Sequence, residues 1–355
     1  MGTIDNYLKK YGKYTFLEED FNDIDASILS LISYVNFTDI VPGIKEGKIL
    51  LKDASRIFFN KNLKKEIDSN ILPIKNAIYL LEKLANTKRY QNLYLCNYCY
   101  EVTFDMQFGA LCIILPNKTM YISFEGTDSY ISGWKEDFMF SYMFPTNAQK
   151  EAVRYINQVV GLFGPKIYVG GHSKGGNLAL VSSMFCKGLI RHKIKKVYNF
   201  DGPGLRTKEF NSKEYKKISS KLITYVPEYC LVGMLLMHSE NYTVVGSKNK
   251  NFMQHDITSW LIGDKQFKEA ALSEFSKKFK RGTLNWLEDK DDRTRKKIID
   301  AIFTVLKKAQ INDLNEFKKS RINCIIKILK ETKNLDKETR DILMNCFKEL
   351  YDEIK

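Results

Sequence analysis

The chain has 355 residues, 44% of them hydrophobic, enough to bury a sizeable core, which excludes a disordered or fibrous polypeptide. Its formal charge of +14 is scattered along the whole length. There is no zinc-finger spacing, RNP-type segment or basic arm, so nucleic acid is not an expected partner. The same charge suits an anionic membrane surface, which keeps peripheral membrane contact among the expectations. The seven cysteines are dispersed and odd in number, which points to a reducing compartment. Met1 to Asn6 carries no apolar signal-peptide run, and stretches such as Gly109 to Pro116 and Cys230 to Met237 are too short to span a bilayer. The expected location is cytoplasmic.

In chain order, Phe21, Ile24, Ile28, Leu31 and Val35 follow helical spacing, and similar patterns run through Ile49 to Phe58 and Ala77 to Leu84. Residues 1–90 therefore read as a helical region. The texture then turns to strands at Leu93 to Phe104, Gly109 to Leu115 and Met120 to Phe124, with a hairpin turn at Asn117-Lys118. Cys96 and Cys99 have CxxC spacing, but on a strand they face opposite sides, so a structural role is expected. Thr146 and Gln149 form a capping box before a helix whose buried face is Ala152, Val153, Ile156, Val159 and Val160. After the break at Gly161 to Pro165 comes a short strand, Ile167 to Val169, a glycine-rich turn, and a helix from Asn177 to Cys186. Further strands are expected at Lys195 to Phe200, Leu222 to Val226 and Tyr242 to Val245. Strands alternating with helices imply a mostly parallel, doubly wound α/β sheet over residues 91–264. Residues 265–355 read as Lys-rich amphipathic helices, with Ile298, Ile299, Ile302, Val305 and Leu306 on one face and solvated charges on the other.

The chemistry is concentrated at Gly171-His172-Ser173-Lys174-Gly175. A chain that turns sharply from strand to helix needs small residues two positions either side of an exposed Ser, and this is the nucleophile-elbow arrangement of the α/β-hydrolase fold. A serine hydroxyl needs a base, and the chain has four histidines. His172 adjoins the Ser, His192 lies in a basic segment, and His238 precedes the last strand. His255 follows the last strand, where this fold places its base in the order Ser, acid, His. The acid is open between Asp201, at the end of one strand, and Glu228, at the end of the next. Asp201 is favoured because Asp is the commoner partner and Gly202-Pro203-Gly204 holds its turn. Asp256 is too close to His255 in sequence to reach its Nδ1. The oxyanion donors are expected at Lys174 N–H and at Thr127, whose hydroxyl is a further donor.

Together these segments resemble the class 3 triacylglycerol lipases and, more closely, the Mbeg-like family of bacterial lipase-like proteins. The resemblance runs from Phe104 to Trp260 through Gly126-Thr127-Asp128, Gly133 to Phe138, Gly171 to Asn177, Asp201 to Gly204, Val232 to Leu236 and Gln254-His255-Asp256, and takes in Phe21 to Val41. It implies an α/β-hydrolase fold, Ser173 as nucleophile, His255 as base, and Thr127 and Lys174 as oxyanion donors. Glu125 stands where both families carry Arg, putting an anion in place of a cation. Class 3 lipases take their acid from the later strand's loop, where this chain has Cys230, so the resemblance leaves Asp201 and Glu228 open. Asp137 is expected to make a structural hydrogen bond near the oxyanion loop.

The expected activity is hydrolysis of a carboxylic ester, small or lipid, through an acyl-enzyme, with no cofactor and no metal. The alternative is a non-catalytic hydrolase-fold protein that binds a lipid or a protein partner.

Overall fold

The apolar and aromatic runs in the middle of the chain pair into one eight-stranded sheet whose spatial order follows the sequence. This computed structural model describes residues 2–345 and residue 348, apart from 71, 104–105, 129–130, 162, 240, 312–320, 338 and 342. The strands are β1 (Lys48–Leu50), β2 (Tyr94–Val102), β3 (Gln107–Ile114), β4 (Met120–Phe124), β5 (Ile167–His172), β6 (Ile194–Phe200), β7 (Leu222–Pro227) and β8 (Tyr242–Val245). The first four pair antiparallel, and β4 to β8 run parallel.

Five helices precede or flank the first strands: α1 (Ile4–Tyr11), α2 (Asp23–Ile32), α3 (Leu51–Lys61), α4 (Lys64–Ser69) and α5 (Leu72–Ala85). Parallel neighbours need crossovers. These are supplied by α6 (Ile131–Met139) and α7 (Asn147–Val159), by α8 (Lys174–Phe185) and α9 (Gly188–Arg191), and by α10 (Thr207–Phe210) and α11 (Lys213–Lys216). After β8 come α12 (Glu274–Asp289), α13 (Asp292–Lys308) and α14 (Arg321–Lys333). None of the described helices is long and apolar enough to cross a membrane.

Alternation along each strand splits the core in two. Tyr121 of β4 joins the N-terminal helices, packing with Ile24, Ile28 and Leu29 of α2. Its neighbour Ile122 faces the other side, where Ala152 and Ile156 of α7 meet Leu178 and Ala179 of α8. α2 is fixed at its N-terminal end by carboxylates. Asn22 caps it by accepting the Ile24 and Asp25 amides. Asp23 accepts the Tyr198 and Tyr225 hydroxyls at 2.8 and 2.7 Å, tying the helix to β6 and β7. Asp25 is fully buried and accepts Arg89 Nε at 2.8 Å and Nη2 at 2.6 Å, with the Tyr7 and Tyr90 hydroxyls on the same carboxylate.

The expected strands are present, with tertiary pairing moving some boundaries. Lys48 to Leu50, at the start of an expected helix, is strand because it pairs with Tyr94 to Cys96. Helices α1 and α6 lacked a recognised period. β2 is bulged between Cys96 and Cys99, with Asn97 at φ 54°. The bulge corrects the expectation of opposite faces, because both cysteines pack against the same apolar cluster. Phe104, the expected end of that strand, and the C-terminal stretch to Ile354 lie partly outside the described residues.

The C-terminal helices are more than solvated faces. Ile299 and Phe303 of α13 bury against Tyr142, with Trp134 and Met139 of α6 packed alongside. Ion pairs flank the contact, Arg206 to Asp292 at 2.8 Å and Lys135 to Asp300 at 3.2 Å.

Removing one partner of a buried ion pair strands the other charge. Arg89→Met should therefore cost about 3–5 kcal/mol in urea unfolding, and the double variant Asp25→Leu/Arg89→Met should lose less than Arg89→Met alone.

Candidate active site

β5 is buried along its whole length and ends at His172, and α8 begins at Lys174. The whole reversal falls on Ser173, held at φ 58° and ψ −130°, a region ordinary side chains avoid. The turn is possible because its flanks are bare: a Cβ on Gly175 would lie 2.1 Å from the Phe124 carbonyl oxygen. Ser173 N–H donates to Phe200 O at 3.0 Å, which fixes the turn against β6. The Ser173 hydroxyl makes no hydrogen bond among the described residues.

His255 closes a short 3-10 turn, Asn251–His255, beyond β8. Its Nδ1 lies 2.6 Å from Asp201 Oδ2. Its ring lies against His172, with centroids 4.4 Å apart. His172 is buried, and burial holds its imidazole well below the usual histidine range, so the ring is neutral. A carbonyl can only accept, so His172 Nε2–H donates to His255 O at 2.8 Å, and Nδ1 is left to accept the Tyr34 hydroxyl at 2.9 Å. The residue before Ser173 thus ties the backbone of His255 to the elbow, and Tyr34, just beyond α2, fixes the tautomer. No hydrogen bond joins Ser173 to His255 here; such bonds tighten when substrate binds.

Of the two candidate acids, the structure brings Asp201 to His255 and leaves Glu228 out. Asp201 is buried, sits at φ 50°, and donates its N–H to Tyr225 O at 2.8 Å. Its second oxygen, Oδ1, accepts the Cys230 thiol at 2.8 Å and the Gly233 amide at 3.1 Å. Glu228 uses its backbone instead, donating to Val245 O and accepting from Ser273 N–H and the Ser276 hydroxyl. Asp256 accepts Asn76 and Thr258 and does not reach His255 Nδ1.

β4 pairs with β5 so that Phe124 lies opposite Gly171, and this brings the loop after β4 beside the elbow. Thr127 is buried there, and its hydroxyl donates to Asp137 Oδ2 at 2.5 Å. That occupies the hydroxyl expected as a further oxyanion donor. Burial pushes the Asp137 carboxyl up to about 7. Below the elbow, Lys174 Nζ is buried and donates to Gln107 O at 2.8 Å and Gln107 Oε1 at 3.2 Å, with Glu136 at 3.5 Å. Gln107 also donates through Nε2 to Gly126 O at 3.3 Å and accepts Asp128 N–H at 3.4 Å. One side chain therefore joins the loop carrying Thr127 to the residue after Ser173. Asn177 does the same for the acid: it accepts Gln149 Nε2 at 2.8 Å and donates to Gly204 O at 2.7 Å.

The surroundings of Glu125 disfavour its charge. It is buried, and desolvation, with Asp128 adding to it and Lys174 opposing, holds its carboxyl well above the usual range.

Sequence reasoning missed Gln107, Tyr34 and Asn177 as parts of this site, and it marked Cys230 only as the residue standing where class 3 lipases carry their acid, without a contact. Tyr34 read as an ordinary apolar position, and Gln107 had no partner in view.

A mostly parallel sheet, helices on both faces, and a strained Ser between β5 and α8 define an α/β-hydrolase fold. The chain matches the Mbeg1-like family over residues 84–304 and belongs to it. No curated protein matches the chain. Among solved structures it is similar to one titled "Crystal structure of M37 lipase", with a TM-score of 0.36 and 16% identity, over 59% of this chain and 67% of that one.

A carboxyl protonated in the folded state and ionised in the unfolded one loses stability as pH rises above its unfolded value. Glu125→Gln removes that loss. Its urea midpoint should exceed wild type at pH 8, and the gap should shrink toward pH 5.

Proposed function

We propose that the chain is a serine hydrolase that cleaves a carboxylic ester through Ser173, His255 and Asp201. The observation that carries this reading is the 2.6 Å contact between His255 Nδ1 and Asp201 Oδ2, made where His255 lies against the elbow of Ser173. A carboxylate on Nδ1 holds the proton there and leaves Nε2 as a free base. Nε2 takes the Ser173 proton as Oγ attacks the ester carbonyl, and the imidazolium then protonates the departing alkoxide. The oxyanion of the tetrahedral intermediate is received by the N–H groups of Thr127 and Lys174. Water, activated by the same imidazole, attacks the acyl-enzyme and releases the acid. The chemistry requires no cofactor.

The site's rim favours an apolar acyl group. Phe252 and Met253 lead into His255 and are about half exposed, and the Phe252 ring lies over the His255 ring at 5.9 Å. Phe138 of α6 is similarly exposed beside Asp137. Lys248 and Lys250, both exposed on the segment before Phe252, suit the anionic headgroup of a lipid or a membrane surface.

A fluorophosphonate probe should label wild type and not Ser173→Ala. On p-nitrophenyl esters, His255→Ala should lose about 10⁴–10⁶ in kcat and Asp201→Asn about 10⁴, while Glu228→Gln stays within about twofold. An optimum at long acyl chains would mark a lipase, and one at short chains an esterase. A folded wild type that takes no label would overturn the proposal and leave a hydrolase-fold binding protein.

A further inference from the structure

Asp201 has a positive φ and sits in a turn, so its backbone does little to choose which carboxylate oxygen faces His255. The choice is made by what meets the other oxygen. Oδ1 is 2.8 Å from Cys230 Sγ and 3.1 Å from Gly233 N, and both are donors. The thiol is fully buried in a cluster with Val226 and Met234, against Leu272 and Phe279. Cys230 N–H is held in turn by the Ser276 hydroxyl of α12 at 2.9 Å. Gly233 is confined to glycine by the same carboxylate, because a Cβ there would lie 2.5 Å from Asp201 Oδ1.

We propose that Cys230 is a positioning residue: its S–H, with the Gly233 amide, holds Oδ1 so that Oδ2 is presented to His255 Nδ1. This rests on the reading of Ser173, His255 and Asp201 as a hydrolytic site. The thiol also withdraws negative charge from the carboxylate. It thereby sets how strongly Asp201 favours the imidazolium, which a side chain that only fills space does not do. Among the described residues, the other ionisable groups facing His255 are His172 at the end of β5, Asp137 in α6 and Asp256 in its own loop, and substitution at Cys230 leaves all three in place.

The test follows the His255 ring by NMR across pH in the full-length protein, with the resonance assigned by its loss in His255→Gln. Cys230→Val keeps an apolar side chain and removes the donor, so Asp201 becomes more negative toward the ring. The His255 midpoint should rise by about 0.5–1 pH unit. Cys230→Ser keeps a donor, and its midpoint should stay within about 0.3 unit of wild type or fall below it, since a hydroxyl is the stronger donor. In ester hydrolysis the acid limb of kcat/KM should move with the NMR midpoint. An unchanged midpoint in Cys230→Val, or equal shifts in Val and Ser, would overturn the proposal and reduce Cys230 to packing. If Cys230→Val does not fold, Cys230→Ala against Cys230→Ser decides by the same criterion. The NMR midpoint needs no turnover, so a protein without esterase activity would sink the hydrolase reading while still reporting on the thiol.

Discussion

The rest of the site depends on the strained backbone of Ser173. A residue at φ 58° and ψ −130° is stable only where its surroundings leave no alternative. Here the constraint comes from both sides. β5 is hydrogen-bonded between β4 and β6, and α8 is pressed so close to β4 that Gly175 touches the Phe124 carbonyl. With strand and helix both fixed, the one residue between them must take the whole reversal. The strain also projects Ser173 away from the core that the adjoining His172 enters. The same close approach brings the loop after β4 alongside, which is why Thr127 and Lys174 end as neighbours.

A second layer turns this turn into a site. Buried polar groups are costly unless each finds a partner. Around the elbow each partner comes from a different part of the chain. Tyr34 reaches His172 from the end of α2, and His172 reaches the carbonyl of His255 beyond β8. Gln107 joins the oxyanion loop to Lys174, and Asn177 joins α8 to the loop of Asp201. In each case a side chain spans segments that meet only in the fold, so the N-terminal helices support the site even though they contribute none of its reacting atoms. Glu125 shows the opposite solution. It faces Asp128 and an opposing Lys174, and burial holds its carboxyl well above the usual range.

This division explains what could be read from sequence. The elbow was legible because it is a local demand, glycine at fixed offsets from Ser between an apolar strand and a helix. The placement of His255 beside the elbow was legible because four histidines left few choices and strand order narrowed them further. The α/β alternation was legible because the periods change from 2 to 3.6. Gln107, Tyr34 and the contact of Cys230 with Asp201 were not, because the partners lie 67, 138 and 29 residues away and no spacing announces them. The raised carboxyl of Glu125 was out of view for the same reason, since burial is a property of the folded surroundings. β1 was hidden inside a helical period because only its pairing with β2 makes it a strand.

The placements of Asp201 and Glu228 show how topology separates two residues that composition leaves even. Both lie at the ends of adjacent parallel strands, and both carry a carboxylate. The chain after β7 is already committed. Glu228 N–H goes to β8, its carbonyl takes Ser273 and Ser276 of the α12 turn, and Tyr229 N–H goes to Gln254 beside His255. The Tyr229 ring stacks on Phe275 at 5.0 Å. That segment joins the C-terminal helices to the loop of His255, and its backbone is not free to turn Glu228 inward. The chain after β6 is tied by other bonds, Asp201 N–H to Tyr225 O and Gly204 N–H to Leu235 O. Asn199 folds back on Gly202, with Oδ1 accepting its N–H at 2.8 Å, and makes a closed turn that aims Asp201 across β7 toward His255. With the carboxylate supplied from β6, the inward position after β7 needs a small group that can donate rather than ionise, and Cys230 occupies it.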